Sequence, residues 1–217
     1  MKIRIKDILQ YNRLFFILYL ILLSACLIIK LTYSKDTIYF AVNGRYSAWA
    51  DQIFPYVTDL GNGWTLIILS AIMILFSYRV ALLLATTFGV TSISAQIIKH
   101  IVKAPRPKLY FNSHLNHIHF VKGLYIDMFD SFPSGHTVTA FSTALLFAYL
   151  IKNKIWSIPL LFIAVLVGYS RMYLSEHFFE DVAAGSLIGV LIALFWIGWL
   201  DGKIFLHQPK WNRGLLG

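Results

Sequence analysis

Residues 182–200 read Val182-Ala-Ala-Gly-Ser-Leu-Ile-Gly-Val-Leu-Ile-Ala-Leu-Phe-Trp-Ile-Gly-Trp-Leu200, an unbroken run without a single charge. About 20 such residues carry an α-helix across a bilayer. Five more apolar stretches occur upstream, at 14–33, 63–78, 80–98, 137–151 and 156–168. Those at 63–78, 137–151 and 156–168 are short and need flanking residues to span. Lipid offers no partner for backbone N–H and C=O groups, so each stretch must satisfy its own as a helix. The pattern predicts an all-α polytopic membrane protein, a six-transmembrane-helix bundle forming one domain over 1–217. There is no internal repeat, low-complexity tract or soluble-domain boundary.

Composition points the same way. Hydrophobic residues make up 58% of the 217 and charged residues 13%, against about 25% charged in a soluble domain. The net charge of +9 is spread over the ends of the apolar runs rather than clustered with exposed aromatics. That spread argues against nucleic acid as a partner and for a bilayer. The lone cysteine, Cys26, excludes an internal disulfide. Leu23-Ser24-Ala25-Cys26 has the form of a lipoprotein processing site, but Leu27-Ile28-Ile29 prolong the apolar run, and an uncleaved first helix is expected. Six crossings return both termini to one side. Lys2, Arg4, Lys6 and Arg13 ahead of the first helix place that side in the cytoplasm.

Between the first two helices, Trp49, Ile53, Tyr56, Val57 and Leu60 recur at helical spacing, with Asp51, Gln52 and Asp59 opposite. A short amphipathic helix over 48–60 fits, either lying in the outer interface or packed over the bundle.

Three clusters carry chemistry. Lys99 is followed after six residues by Arg106-Pro107; Phe132-Pro133-Ser134-Gly135-His136 leads into the fourth helix; and Ser170-Arg171 is followed by His177 and Asp181. Helix parity puts the connections between helices three and four and between five and six on one face, so the clusters can converge. Cations beside apolar segments are costly and mark function. Three of them suit phosphate, arginine by its planar fork and lysine as a compact charge. Each alone also fits snorkelling toward headgroups. Ser134 and Gly135 open a helix, where a hydroxyl and backbone amides can donate to an anion, or simply cap it. His177 and Asp181, four apart, share a helical face. Such a carboxylate fixes the imidazole tautomer and frees the other nitrogen to attack, although the pair also fits a structural ion pair or two metal ligands.

Together, in this order and spacing, the clusters resemble the signature of the type 2 phosphatidic acid phosphatase family, whose superfamily includes the vanadium-dependent haloperoxidases. The resemblance covers about 99–181. It implies His177 as a nucleophile forming a phosphohistidine, Asp181 as its orienting carboxylate, and His136 as the acid protonating the leaving oxygen. Lys99, Arg106, Ser134, Gly135 and Arg171 would hold the phosphate. No metal and no cofactor is implied. Ser175 departs from the pattern, standing where many members have glycine, while Gly185 matches.

The long apolar helices favour a phosphorylated lipid over the oxidative chemistry of the haloperoxidase branch. Undecaprenyl diphosphate, phosphatidylglycerol phosphate, phosphatidic acid and phosphorylated lipid A are handled by proteins of this type, and the clusters read only phosphate. The competing non-enzyme reading is a lipid-phosphate binding or transport protein with the same fold; an intact nucleophile, acid and orienter argue against it. The implied location is the bacterial cytoplasmic (inner) membrane, with the site facing the periplasm or exterior. His114, His117 and His119, with Asp127 or Asp130, have spacings that can hold zinc. Their loop is instead expected to shape the headgroup pocket.

Overall fold

The computed structural model describes residues 4–216; Lys2 lies outside them. Among the described residues the regular structure is helical throughout. The main helices are α1 (Ile5–Tyr11), α2 (Arg13–Thr32), α3 (Lys35–Asn43), α4 (Ala48–Asp59), α5 (Gly63–Phe76), α6 (Tyr78–Val102), α7 (Pro107–Tyr110), α8 (Gly135–Leu150), α9 (Ser157–Tyr173), α10 (Phe179–Leu200) and α11 (Pro209–Asn212). Short polar side chains start several of them. Asn62 accepts from Trp64 N ahead of α5, Ser77 from Val80 N ahead of α6, and Ser134 from Thr137 N ahead of α8. Each satisfies an N–H that the first helical turn leaves free.

Each of the six apolar stretches forms a helix: α2, α5, α6, α8, α9 and α10. By length and composition, four segments can cross a membrane, namely Arg13–Thr32, Tyr78–Tyr110, Lys154–Tyr173 and Phe179–Leu200. A fifth arises if α4 and α5, bent by 52° at their junction, act as one span. At 14 and 16 residues, α5 and α8 fall short of the ~20 residues of a full crossing. The result is a polytopic helical bundle with four or five full-length spans.

At its centre stands α8, packed against α10, α9 and α6. Val138, Leu145 and Leu146 on α8 are fully buried, as are Val167, Ala193 and Ile197 facing them. Gly185 and Gly189 on α10 allow the close approach; a Cβ at Gly185 would meet Ser134 O at 2.8 Å, and one at Gly189 would strike the backbone of Val138. Small residues at such contacts let helix backbones touch in a membrane. The consequence for the site is direct, since Asp181 O then accepts from Ser134 N at 3.0 Å. By contrast α2 buries only Phe15 and Tyr19 and leaves Ile17, Leu20, Ile21, Leu27, Ile28 and Leu31 exposed, a surface suited to lipid tails.

The amphipathic helix over 48–60 is present as α4, with its faces divided differently from expectation. Ala50, Phe54 and Thr58 are buried, packing on α9, while Trp49, Ile53, Tyr56 and Leu60 remain exposed. Asp51 turns inward to Tyr173 and His119. The helix therefore both packs over the bundle and presents an apolar stripe outward.

The described terminal segments gather at the end opposite the three clusters. There Arg79 grips the fully buried Asp201 with two hydrogen bonds, Nε to Oδ1 at 2.7 Å and Nη2 to Oδ2 at 2.5 Å, and Tyr149 OH donates at 2.5 Å. Burial pushes the Asp201 carboxyl up, but these donors outweigh it and hold the group below its usual range. Lys154 Nζ donates to Asn12 Oδ1 at 3.2 Å, and Leu215 and Leu216 N–H groups bond Ile74 and Leu75 carbonyls.

Candidate active site

The last turn of α6 delivers Lys99, and the residue capping α7 is Arg106. The chain then loops out and returns along 126–133 to α8. Returning carbonyls meet both cations: Lys99 Nζ donates to Asp130 O at 2.5 Å and Arg106 Nε to Phe129 O at 2.8 Å. The loop is anchored again by Arg106 N to Met128 O and Ser131 N to Ala104 O, each at 2.9 Å. Both side chains are buried, each residue 7% exposed, a situation tolerated only with such partners. Arg106 also pairs with Asp127 at 3.4 Å and with Glu176.

Arg171 stands in the last turn of α9, equally buried. Its Nη1 donates to Thr58 Oγ1 on α4 at 2.9 Å, while its Nε is a buried donor without a partner. Its carbonyl organises the turn that follows, accepting from Glu176 N at 3.0 Å and His177 N at 3.2 Å. That turn passes through Ser175 at φ 59°, in the left-handed region. Glycine adopts that backbone region without a Cβ penalty, whereas serine does so at a cost. Ser175 Oγ shares a hydrogen bond with Tyr39 OH at 2.9 Å and accepts from Asn43 Nδ2 at 3.0 Å.

His177 sits just ahead of α10 and Asp181 in its first turn. His177 Nδ1 lies 3.6 Å from Asp181 Oδ2, longer than a hydrogen bond. Ser131 stands beside both: its Oγ donates to Asp181 Oδ2 at 2.6 Å and is 3.4 Å from His177 Nδ1. The same Asp181 oxygen accepts from Phe178 N at 2.8 Å. Burial, followed by the charges of Arg106, Arg171 and Lys99, holds the His177 ring neutral, its pKa well below the ordinary value. His136, second residue of α8, lies in the field of Arg171, Arg106 and Lys99.

Ser134 is fully buried. Its amide is spent on Asp181 O, and its Oγ accepts from Thr137 Oγ1 at 2.9 Å, leaving the hydroxyl proton as its available donor. The space where a Gly135 side chain would begin is open. Lys99 and Arg106 line a cavity of about 420 Å³ with Gln96, Lys108, Tyr125 and Asp127. A larger apolar cavity of about 770 Å³ lies between α5, α6 and Trp211, away from these residues.

Three participants escaped the sequence reading. Glu176 carried a usable signal, being a charge beside an apolar segment, which is the same criterion that singled out the cations. Ser131 and Thr58 carried none. Among the described residues no three His, Cys, Asp or Glu side chains group as a metal site would. His119 instead bonds Asp51 through Nε2 at 2.9 Å and stacks on Tyr46 at 4.0 Å.

The fold and this pocket define a polytopic helical membrane protein with buried cations and histidines gathered at one end. Residues 80–205 match the PAP2 superfamily, and the chain belongs to that family. It is similar to phosphatidylglycerophosphatase B of Bacillus subtilis (strain 168), 31% identical over 75% of this chain and 80% of the relative. It is also similar to an undecaprenyl-diphosphatase of Sulfolobus acidocaldarius, 26% identical over 90% and 93% respectively. The crystal structure of Aquifex aeolicus LpxE superimposes with TM-score 0.65 at 27% identity, covering 74% of this chain and 93% of that one. By family, the chain is a phosphoric ester hydrolase.

Proposed function

We propose that this protein hydrolyses a phosphate monoester or diphosphate of a membrane lipid through a phosphohistidine, without a metal. The observation that carries this reading is the burial of three cations, Lys99, Arg106 and Arg171, at the end of the bundle that also holds the buried His177. Cations held in a low-dielectric pocket stabilise the charge that develops on the phosphoryl oxygens, with no reorganisation during the reaction. His177 attacks phosphorus with Nε2, Asp181 and Ser131 orienting the ring from the Nδ1 side. The bond to the lipid oxygen breaks, and His136 gives that oxygen its proton. Water then attacks the phosphohistidine, yielding its proton to His136, and inorganic phosphate leaves. The open space at Gly135 and the Ser134 hydroxyl complete the phosphate cradle.

Phosphatidylglycerophosphate and undecaprenyl diphosphate, the substrates for which the relatives are named, both fit the reading, as does any lipid presenting phosphate at the bilayer surface. Basic residues before α2 support termini in the cytoplasm of a bacterium. Because the site lies at the opposite end of the bundle, it faces the periplasm or exterior.

Phosphate release by the purified protein from a panel of these lipids, in excess chelator and with vanadate as competitor, tests the reading. Metal-independent release blocked competitively by vanadate is expected. Binding of the lipids without any release would replace it by a binding or transport role, and activity restored only by zinc or magnesium would replace the mechanism. Single cysteines placed in the 103–131 loop of a Cys26-free variant test the topology, with labelling by an impermeant reagent in intact cells expected.

A further inference from the structure

Glu176 belongs to none of the three clusters, yet its carboxylate lies among them. The residue is 9% exposed. Its Oε2 accepts from Arg106 Nη1 and stands 3.4 Å from Arg171 Nη2. The two guanidiniums come from the start of α7 and the end of α9, and this one oxygen spans them. Its position is fixed by its own N–H on Arg171 O at 3.0 Å, one residue before His177.

Two buried guanidiniums side by side repel and are poorly solvated unless an anion lies between them. A bound phosphate supplies that anion, and without phosphate Glu176 does. We propose that Glu176 is a built-in counter-anion of the empty site, competing with phosphate for Arg106 and Arg171 and so setting how readily the product leaves. The proposal rests on the phosphatase reading and deepens it. When substrate arrives, its oxygens take guanidinium donors from the carboxylate; when phosphate departs, the carboxylate takes them back. A group that stabilises the empty state more than the loaded one weakens every ligand of that site by the same differential. Three cations and a helix start would otherwise retain inorganic phosphate.

Glu176→Gln keeps the shape and removes the charge. Measured on the purified full chain, with vanadate and inorganic phosphate as inhibitors of phosphate release, both inhibition constants should fall on the order of tenfold. In thermal unfolding the ligand-free variant should melt below wild type, while the rise in Tm caused by vanadate should be larger than in wild type. A merely structural carboxylate would lower the first and shrink the second. Glu176→Asp retains the charge but shortens the bridge, and its inhibition constants should fall between those of wild type and Gln. This second variant decides the matter if the first does not fold. Vanadate bound no more tightly by a folded variant than by an active wild type would overturn the proposal alone. A wild type that neither releases phosphate nor binds vanadate would sink the phosphatase reading and this proposal with it.

Discussion

Ser131 Oγ donates to Asp181 Oδ2 at 2.6 Å from within a loop that begins some thirty residues earlier at Lys103. The same hydroxyl lies 3.4 Å from His177 Nδ1, closer than the carboxylate itself. The loop that brings carbonyls to Lys99 and Arg106 therefore also contacts both Asp181 and His177, the pair proposed as orienting carboxylate and nucleophile. Ser131→Ala leaves Asp181 with one donor fewer, a loss worth about 1–3 kcal/mol in a buried site. Steady-state kinetics should show kcat reduced about tenfold or more with KM little changed, because the cations proposed to hold phosphate are untouched. A rise in KM at constant kcat would assign Ser131 to substrate binding instead.

Ser175 offers a test of the turn before His177. Ser175→Ala keeps the left-handed backbone and strips Tyr39 and Asn43 of a partner, at a cost of about 1–3 kcal/mol. Ser175→Gly loses the same bonds but relieves about 1 kcal/mol of backbone strain. Thermal or denaturant unfolding should rank wild type above Gly and Gly above Ala. Equal stability of the two variants would show that φ 59° costs nothing here.

At the far end, Asp201→Asn removes the charge that answers Arg79 and should cost about 3–5 kcal/mol, lowering Tm on the order of 10 °C for a chain of this size. Activity per folded molecule should persist, since the clamp is remote from the pocket. Loss of activity in a fully folded variant would mean that the two ends are coupled.

The neutral His177 ring makes a prediction about acid. Its folded pKa lies below the unfolded value near 6.5, so between the two the unfolded chain binds the extra proton. Stability is therefore complete above about pH 6.5 and is lost as pH falls, with a limiting slope of about 1.4 kcal/mol per pH unit. Unfolding of wild type and of His177→Gln across pH 5–7.5 should give a shallower decline in the variant. Parallel curves would place the titrating group elsewhere.

How much of this was legible beforehand follows from what sequence can encode. Uncharged runs such as 182–200 mark helices because lipid leaves the backbone no other solution, and all six became helices. Their lengths in the bundle were less legible. The central α8 stops at Leu150 and α5 at Phe76, where Ile151 and Ser77 turn extended, which is why full-length spans number four or five. Helix parity was enough to bring Lys99, Arg106, Ser134, His136, Arg171, His177 and Asp181 to one end. What parity lacks is the path of the 103–131 loop and the tilt of α4. Ser131 and Thr58, delivered by those two segments, had no spacing to announce them. Ser175 was visible as a departure from glycine, but its hydrogen bonds to Tyr39 and Asn43 needed the packing of α3.

In the proposed reaction His177, and not His136, receives the phosphoryl group. Rapid quench of the enzyme with phosphate-labelled lipid, kept alkaline because phosphohistidine is acid-labile, should trap label that peptide mapping places on His177. His177→Ala should trap none and lose several orders of magnitude in turnover. His136→Ala should still label, more readily with a phenolic leaving group than with an alkyl one, since a phenoxide departs with little need of a proton. Label mapped to His136, or a covalent intermediate persisting in His177→Ala, would contradict the assignment.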